Sequence, residues 1–142
     1  MLSAAKFRIT GSQRARDPIL VGDPSGDAQP ARHTSEARFL IAWREAVMLI
    51  GVQLFGTGRI VEVASVTSKW DLAPRLQSMR SCVGAMECPD RMFLCAVLSL
   101  YNPQEAIRLR QLCGLTTFFD RDVLDPVRQE LVSELLLNST GW

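Results

Sequence analysis

Four cysteines are the residues best suited to bind a metal or to take part in redox chemistry: Cys82, Cys88, Cys95 and Cys113. Five, six and seventeen residues separate them, whereas structural zinc sites usually take their thiolates from pairs only about two to four residues apart. Cys95 and Cys113 fall on inward-facing positions of predicted helices. We therefore expect core thiols and no bound metal.

The single histidine and a group of carboxylates are the remaining candidates for catalysis. His33 lies at the edge of a segment without a predicted core, where a general base would not be held against a nucleophile. Asp120, Asp122 and Asp125 precede a predicted helix, where acidic residues are favoured as caps and by the helix dipole. Their spacing lacks the glycine and final glutamate of a calcium loop. We expect no catalytic residues.

Nucleotide binding and membrane insertion are also not indicated. Gly56-Thr57-Gly58 is the only glycine-rich turn, and it follows a predicted helix rather than a strand, so no phosphate loop or other cofactor site is expected. Polar residues interrupt the most apolar window, Phe39–Phe55, which is therefore a core helix and not a membrane span. No apolar signal region occurs in Met1–Thr10, so we expect a cytoplasmic protein with reduced thiols.

The N-terminal quarter of the chain differs in composition from the rest. Residues 1–34 contain few large apolar side chains and many Gly and Pro residues, a composition typical of a flexible arm. Residues 35–142 form the predicted helical domain. Ile19-Leu20-Val21 is the one apolar island in the arm, able to dock on the domain or on a partner.

Helical periodicity predicts the first two helices of this domain. Thr34 or Ser35 caps the first, whose apolar residues recur at spacings of three and four up to Gly56-Thr57-Gly58. Because this helix is apolar on most sides, we expect it in the centre of a bundle. Residues 59–73 are compatible with a strand, a helix or a linker. A second helix lies between Pro74 and Gly84.

Three further helices are predicted from local signals. The third begins at Pro89 and is apolar enough to be a second central helix. Asn102 and Pro103 cap and begin the fourth, and Glu105 is placed to reach back to the cap.

Asp125 and Pro126 begin the fifth, with Val127, Leu131 and Leu135 as its inner row, and Trp142 folds back onto the domain. The prediction is an all-α fold, a compact bundle of four to five helices with a disordered N-terminal arm.

Short motifs in the C-terminal part carry a resemblance. Leu98-Ser99-Leu100-Tyr101-Asn102, a glycine at 114, and Leu135-Leu136-Leu137-Asn138 running to Thr140-Gly141-Trp142 resemble small uncharacterised proteins of bacterial plasmids, integrated elements and phages. The resemblance covers residues 90–142. It implies an origin in a mobile element and supplies no catalytic residue.

Two functional hypotheses follow. The leading one is a non-enzymatic module that binds another protein or a second copy of itself, because no reaction site is predicted and apolar helical surface is in surplus. Its candidate contacts are Ile19, Leu20, Val21, Ile41, Met48 and Phe55.

The alternative is a DNA-binding accessory or regulatory protein that uses the basic arm and the arginines near the fourth helix. The net charge of +1 is low for such a role. Its candidate contacts are Arg14, Arg16, Arg108, Arg110 and Arg121.

Overall fold

The structure, a computed structural model, describes residues 24–59 and 63–142. Within that range it contains five α-helices and no β-strand, which confirms the all-α prediction. The chain divides into two units, Met1–His33 and Thr34–Trp142, and the packing described below belongs to the second. The helices are α1 (Pro24–Ile50), α2 (Leu76–Cys82), α3 (Cys88–Tyr101), α4 (Pro103–Leu112) and α5 (Pro126–Asn138), with 3₁₀ helices at Val52–Leu54, Lys69–Leu72 and Val83–Ala85.

The first helix begins earlier than predicted. It starts at Pro24, so the caps predicted at Thr34 or Ser35 are wrong. Proline is well placed at a helix start because its missing N–H needs no partner there. The helix continues through Pro30, which the composition of the segment had suggested as a breaker. Residues 1–23 of the predicted arm lie outside the described residues.

The same helix also ends earlier than predicted. It ends at Ile50, because Gly51 takes a φ of 133°, a conformation that favours glycine. The chain then turns through Val52–Leu54, and an isolated bridge joins Phe55 to Pro74. The predicted stop at Gly56-Thr57-Gly58 is therefore wrong, and this tripeptide lies in the turn that follows.

Helix α3 forms the centre of the Thr34–Trp142 unit. Every residue from Met92 to Leu98 is buried, as its apolar run predicts, and α3 packs on α4 and α5. Helix α1 is not central in the same way. Phe39, Trp43 and Val47 face the core, whereas the opposite side of the helix is exposed.

Local capping signals are confirmed at two helices. The Asn102 side chain accepts a hydrogen bond from the Glu105 backbone N–H at 3.0 Å, and Asp125 accepts one from the Arg128 N–H at 3.0 Å. Gly114 follows α4 with a φ of 73°. These bonds satisfy N–H groups that would otherwise lack a partner at a helix start.

The carboxylate of Glu105 has a different role from the one predicted. It is buried and bonds to two arginines, Arg80 at 2.6 Å and Arg108 at 3.0 Å. Since α2 carries Arg80 and α4 carries the other two residues, the carboxylate joins two helices.

The C-terminal residues pack back onto the domain, as predicted. The Trp142 ring lies 5.0 Å from Trp43, 5.0 Å from Trp70 and 4.8 Å from Tyr101, measured between ring centroids. Lys69 donates a hydrogen bond to the Gly141 carbonyl. This aromatic cluster joins α1, α3 and the segment after residue 63. Residues 60–62 are outside the described range, and the rest of the 59–73 segment contains a 3₁₀ helix and no strand.

Candidate functional site

The exposed side of α1 and the first turn of α5 carry four large apolar side chains. The exposed fractions are 56% for Ile41, 50% for Met48, 38% for Leu49 and 60% for Val127. The three α1 residues recur at intervals of seven and one, which places them on one face of the helix. That face lies opposite the one that carries Trp43 to the core.

Two adjoining concavities follow this apolar strip. The larger has a volume of ≈ 640 Å³ and the smaller ≈ 360 Å³. Both are lined by Glu45, Val127 and Leu131, so they form one continuous groove between α1 and α5, called here the α1–α5 groove. Its other lining residues are Arg38, Ile41, Ala42, Arg44, Met48, Leu49, Val63, Ala64, Glu130 and Glu134.

Three carboxylates line the groove. Glu45 is on α1, and Glu130 and Glu134 are on α5, all of them exposed. Glu134 accepts a hydrogen bond from the Asn138 side chain at 3.2 Å. Neither of the other two glutamates forms an ion pair with a residue in the described part of the chain.

The predicted partner-binding residues divide into three groups. Ile41 and Met48 lie in the groove and are exposed. Phe55 is 1% exposed and packs edge-on against Trp43 at 6.0 Å, so its assignment to an exposed face is wrong. The physical reason is that the helix ends at Ile50 and Gly51 turns the following chain into the core. The residues at 19–21, Ile19, Leu20 and Val21, lie outside the described range.

Sequence reasoning missed Val127. It was assigned to the inner row of α5 because it lies four and eight residues before Leu131 and Leu135, both of which are buried. Val127 is instead 60% exposed and lines the α1–α5 groove. No signal in the sequence distinguishes Val127 from the buried members of this row.

Two of the arginines predicted to contact nucleic acid, Arg108 and Arg110, make contacts within the chain. The half-buried Arg110 donates to the Thr116 carbonyl at 2.6 Å and lies over the Phe118 ring. Arg108 bonds to the buried Glu105, and Arg121 is exposed. The guanidinium of Arg110 is therefore occupied by backbone and ring contacts. Arg14 and Arg16 lie outside the described residues.

Among the residues suited to metal binding or acid–base chemistry, two thiols have raised pKa values and two aspartates accept hydrogen bonds from backbone N–H groups. Burial raises the pKa of the Cys95 thiol to about 12, and burial also raises the pKa of Cys113 beside it. Such thiols are poor nucleophiles because the thiolate is the reactive form. Asp125 caps α5, and Asp120 accepts a hydrogen bond from the Asp122 N–H at 2.8 Å.

Among the described residues, no group of three or more His, Cys, Asp or Glu side chains is placed to hold a metal ion.

A further concavity of ≈ 370 Å³ adjoins the Trp142 cluster. Its polar centre is Lys69, whose ammonium lies 5.2 Å from the Phe39 ring centroid and 4.9 Å from that of Trp142. Burial lowers the pKa of Lys69. Since the ammonium already bonds to the Gly141 carbonyl and contacts two ring faces, these contacts serve the packing of the cluster.

Comparison with protein-family models, with curated proteins and with solved structures found no significant match to this chain. No helix in residues 24–59 and 63–142 is long and apolar enough to cross a membrane.

Proposed function

We propose that this chain is a non-enzymatic interaction module that binds a helix of another protein in the α1–α5 groove. The observation that carries the proposal is the row of exposed apolar side chains, Ile41, Met48, Leu49 and Val127, aligned along two neighbouring helices. A contiguous exposed apolar surface marks an interaction site more often than scattered apolar residues do.

The shape of the groove favours a helical partner. Two helices with an apolar seam between them present the surface into which a third amphipathic helix packs, with contacts at i, i+3, i+4 and i+7. The groove side of α1 extends from Arg38 to Leu49. At about 1.5 Å per residue this corresponds to roughly 18 Å, or three turns of a partner helix.

The expected affinity from apolar contact alone is modest. Each of the four side chains is about half exposed, so covering it gains roughly 1 kcal/mol, or about 4 kcal/mol for the set. That value corresponds to a dissociation constant of about 1 mM before the costs of association. A partner of biological affinity must therefore add contacts beyond the apolar strip.

The biological setting belongs to the same proposal. The C-terminal motifs resemble small proteins of bacterial mobile elements, which supports an accessory role in the bacterial cytoplasm that depends on binding rather than on catalysis. The buried, protonated Cys95 thiol and the use of Asp125 as a helix cap support the non-enzymatic part.

A display library of helical peptides tests this function. Peptides of about 18 residues, selected on the full chain, should bind wild type, and Met48→Glu or Val127→Glu should weaken them by at least about 10-fold, since each places a charge in the apolar seam. Leu112→Glu is the matched control, because Leu112 is 69% exposed on α4, away from the groove. This control should keep wild-type affinity.

Two results would contradict the proposal. One is a selection that yields no binding peptide. The other is a set of peptides that bind both groove variants as tightly as wild type, since those peptides would occupy another surface.

A further inference from the structure

We infer that the partner helix is basic, with lysine or arginine side chains on both sides of its apolar row. This inference rests on the proposed function and specifies the chemistry of the partner. It is carried by the charges that line the α1–α5 groove.

The smaller concavity of the groove is acidic. Arg38, Glu45, Glu130 and Glu134 are its charged lining residues, one positive and three negative, for a net charge of −2. Glu130 and Glu134 are four residues apart on α5, a spacing at which like charges repel on a helix. A basic partner would relieve this repulsion.

The positive charge at the groove is less available than the negative charge. The Arg44 side chain donates to the Val66 carbonyl and is half-buried, so it is directed to the chain itself. Arg38 remains as the one exposed cation among the groove residues described. Glu45 and Glu130, by contrast, form no ion pair with other described residues.

The same charges disfavour a second copy of the chain as the occupant. In a two-fold dimer each surface meets its own copy, so the acidic ends of two grooves would share one interface. Like charges brought together at an interface oppose association. A partner helix with an apolar row flanked by basic residues matches both the apolar side chains and the carboxylates of the groove.

The inference predicts a specific salt dependence. Exposed charges at the edge of an interface act over about 10 Å at 0.1 M salt and over shorter distances at higher salt. These charges speed the encounter of the two binding partners, and they select partners by the sign of the partner's charge. A basic helix should therefore lose affinity as salt rises, whereas an acidic helix should gain.

A pair of matched peptides tests the sign of the charge. Both are about 18 residues long with the same leucine row, one flanked by lysines and the other by glutamates, and fluorescence anisotropy reports binding to the full chain. At about 20 mM salt the lysine peptide should bind at least about 10-fold more tightly, and the difference should fall to about 3-fold or less near 500 mM. Glu130→Lys with Glu134→Lys should reverse the preference.

Asp122→Lys is compared with Glu130→Lys alone, because each variant reverses one charge. Asp122 is exposed and outside the groove, so this variant should keep the preference of wild type. Circular dichroism confirms that each variant is folded, and the salt series on wild type tests the inference without any substitution.

The outcomes separate the inference from the function on which it rests. Equal affinity for both peptides, or tighter binding of the glutamate peptide, would overturn the basic partner and leave the groove as a helix-binding site. Binding of neither peptide would count against both. A chain that dimerises in sedimentation equilibrium, and becomes monomeric with Val127→Glu, would identify a second copy as the occupant and would also overturn the inference.

Discussion

Trp43 connects the core face of α1 to the segment that precedes α2, and its replacement by phenylalanine tests that connection. The indole is fully buried, stacks on Phe39 at 5.6 Å, and donates from Nε1 to the Leu72 carbonyl at 3.1 Å. Outside the helices, no backbone N–H in the described part of the chain donates to this carbonyl. Phenylalanine keeps most of the ring stacking and removes the donor.

Two effects of Trp43→Phe contribute to the expected loss in the free energy of unfolding. A buried carbonyl left without a partner costs about 1 to 3 kcal/mol. The smaller ring leaves a gap beside Phe55 and Trp142, which costs roughly another 1 kcal/mol. We therefore expect Trp43→Phe to lower the free energy of unfolding by about 3 kcal/mol. For a unit of this size that corresponds to a fall in Tm of roughly 12 °C.

Urea unfolding followed by circular dichroism measures this loss without depending on tryptophan fluorescence. The control is Trp70→Phe, because Trp70 is 57% exposed and should cost less than about 1 kcal/mol. A Trp43→Phe variant that loses less than about 1 kcal/mol, or a control that loses as much as Trp43→Phe, would show that the Leu72 bond does not hold this segment.

Three further stability measurements each test a single residue. Arg80 holds the pKa of Glu105 below its usual value, so the stability that Glu105 contributes is present above about pH 4.5 and lost as pH falls further. Glu105→Gln should lower the free energy of unfolding by about 2 kcal/mol at pH 7 and flatten its fall between pH 5 and 3; an unchanged acid slope would contradict this.

Gly114→Ala should cost about 1 kcal/mol from its φ of 73° alone, since no atom lies within 4 Å of the added carbon; a neutral result in thermal unfolding would refute this. Leu94→Ala should cost about 3 kcal/mol in urea because Leu94 is fully buried in α3, and a cost under 1 kcal/mol would contradict its central position.

The helix starts at 103 and 126 and the buried centre of α3 could be predicted from sequence because their signals are local. A capping side chain followed by proline fixes a start within one turn, as Asn102 and Asp125 show. The apolar run from Met92 to Leu98 leaves no polar face to expose, so burial on all sides followed directly. These features need no knowledge of what packs against them.

The limits of α1 and the burial of its residues could not be predicted in this way. Its end at Ile50 depends on Gly51, whose conformation allows Phe55 to reach the core, and the sequence offered a stronger stop signal at Gly56-Thr57-Gly58. Half of the candidate site was still found, because Ile41 and Met48 lie on the second apolar face. Val127 was missed because periodicity gives a direction around a helix and not whether a neighbour covers that position.

Helices α1 and α3 differ in how much of their apolar surface is buried. Both helices are apolar on more than one side, yet α3 has neighbours on its faces and α1 leaves Ile41, Met48 and Leu49 in water. Packing within the chain therefore does not explain why the second face of α1 is apolar. An exposed apolar face also favours non-specific association. The binding role proposed above would account for this apolar face, since the same face adjoins Val127 across a groove that also contains three carboxylates. In that proposal the apolar side chains supply contact area, and the charges restrict which helices can bind.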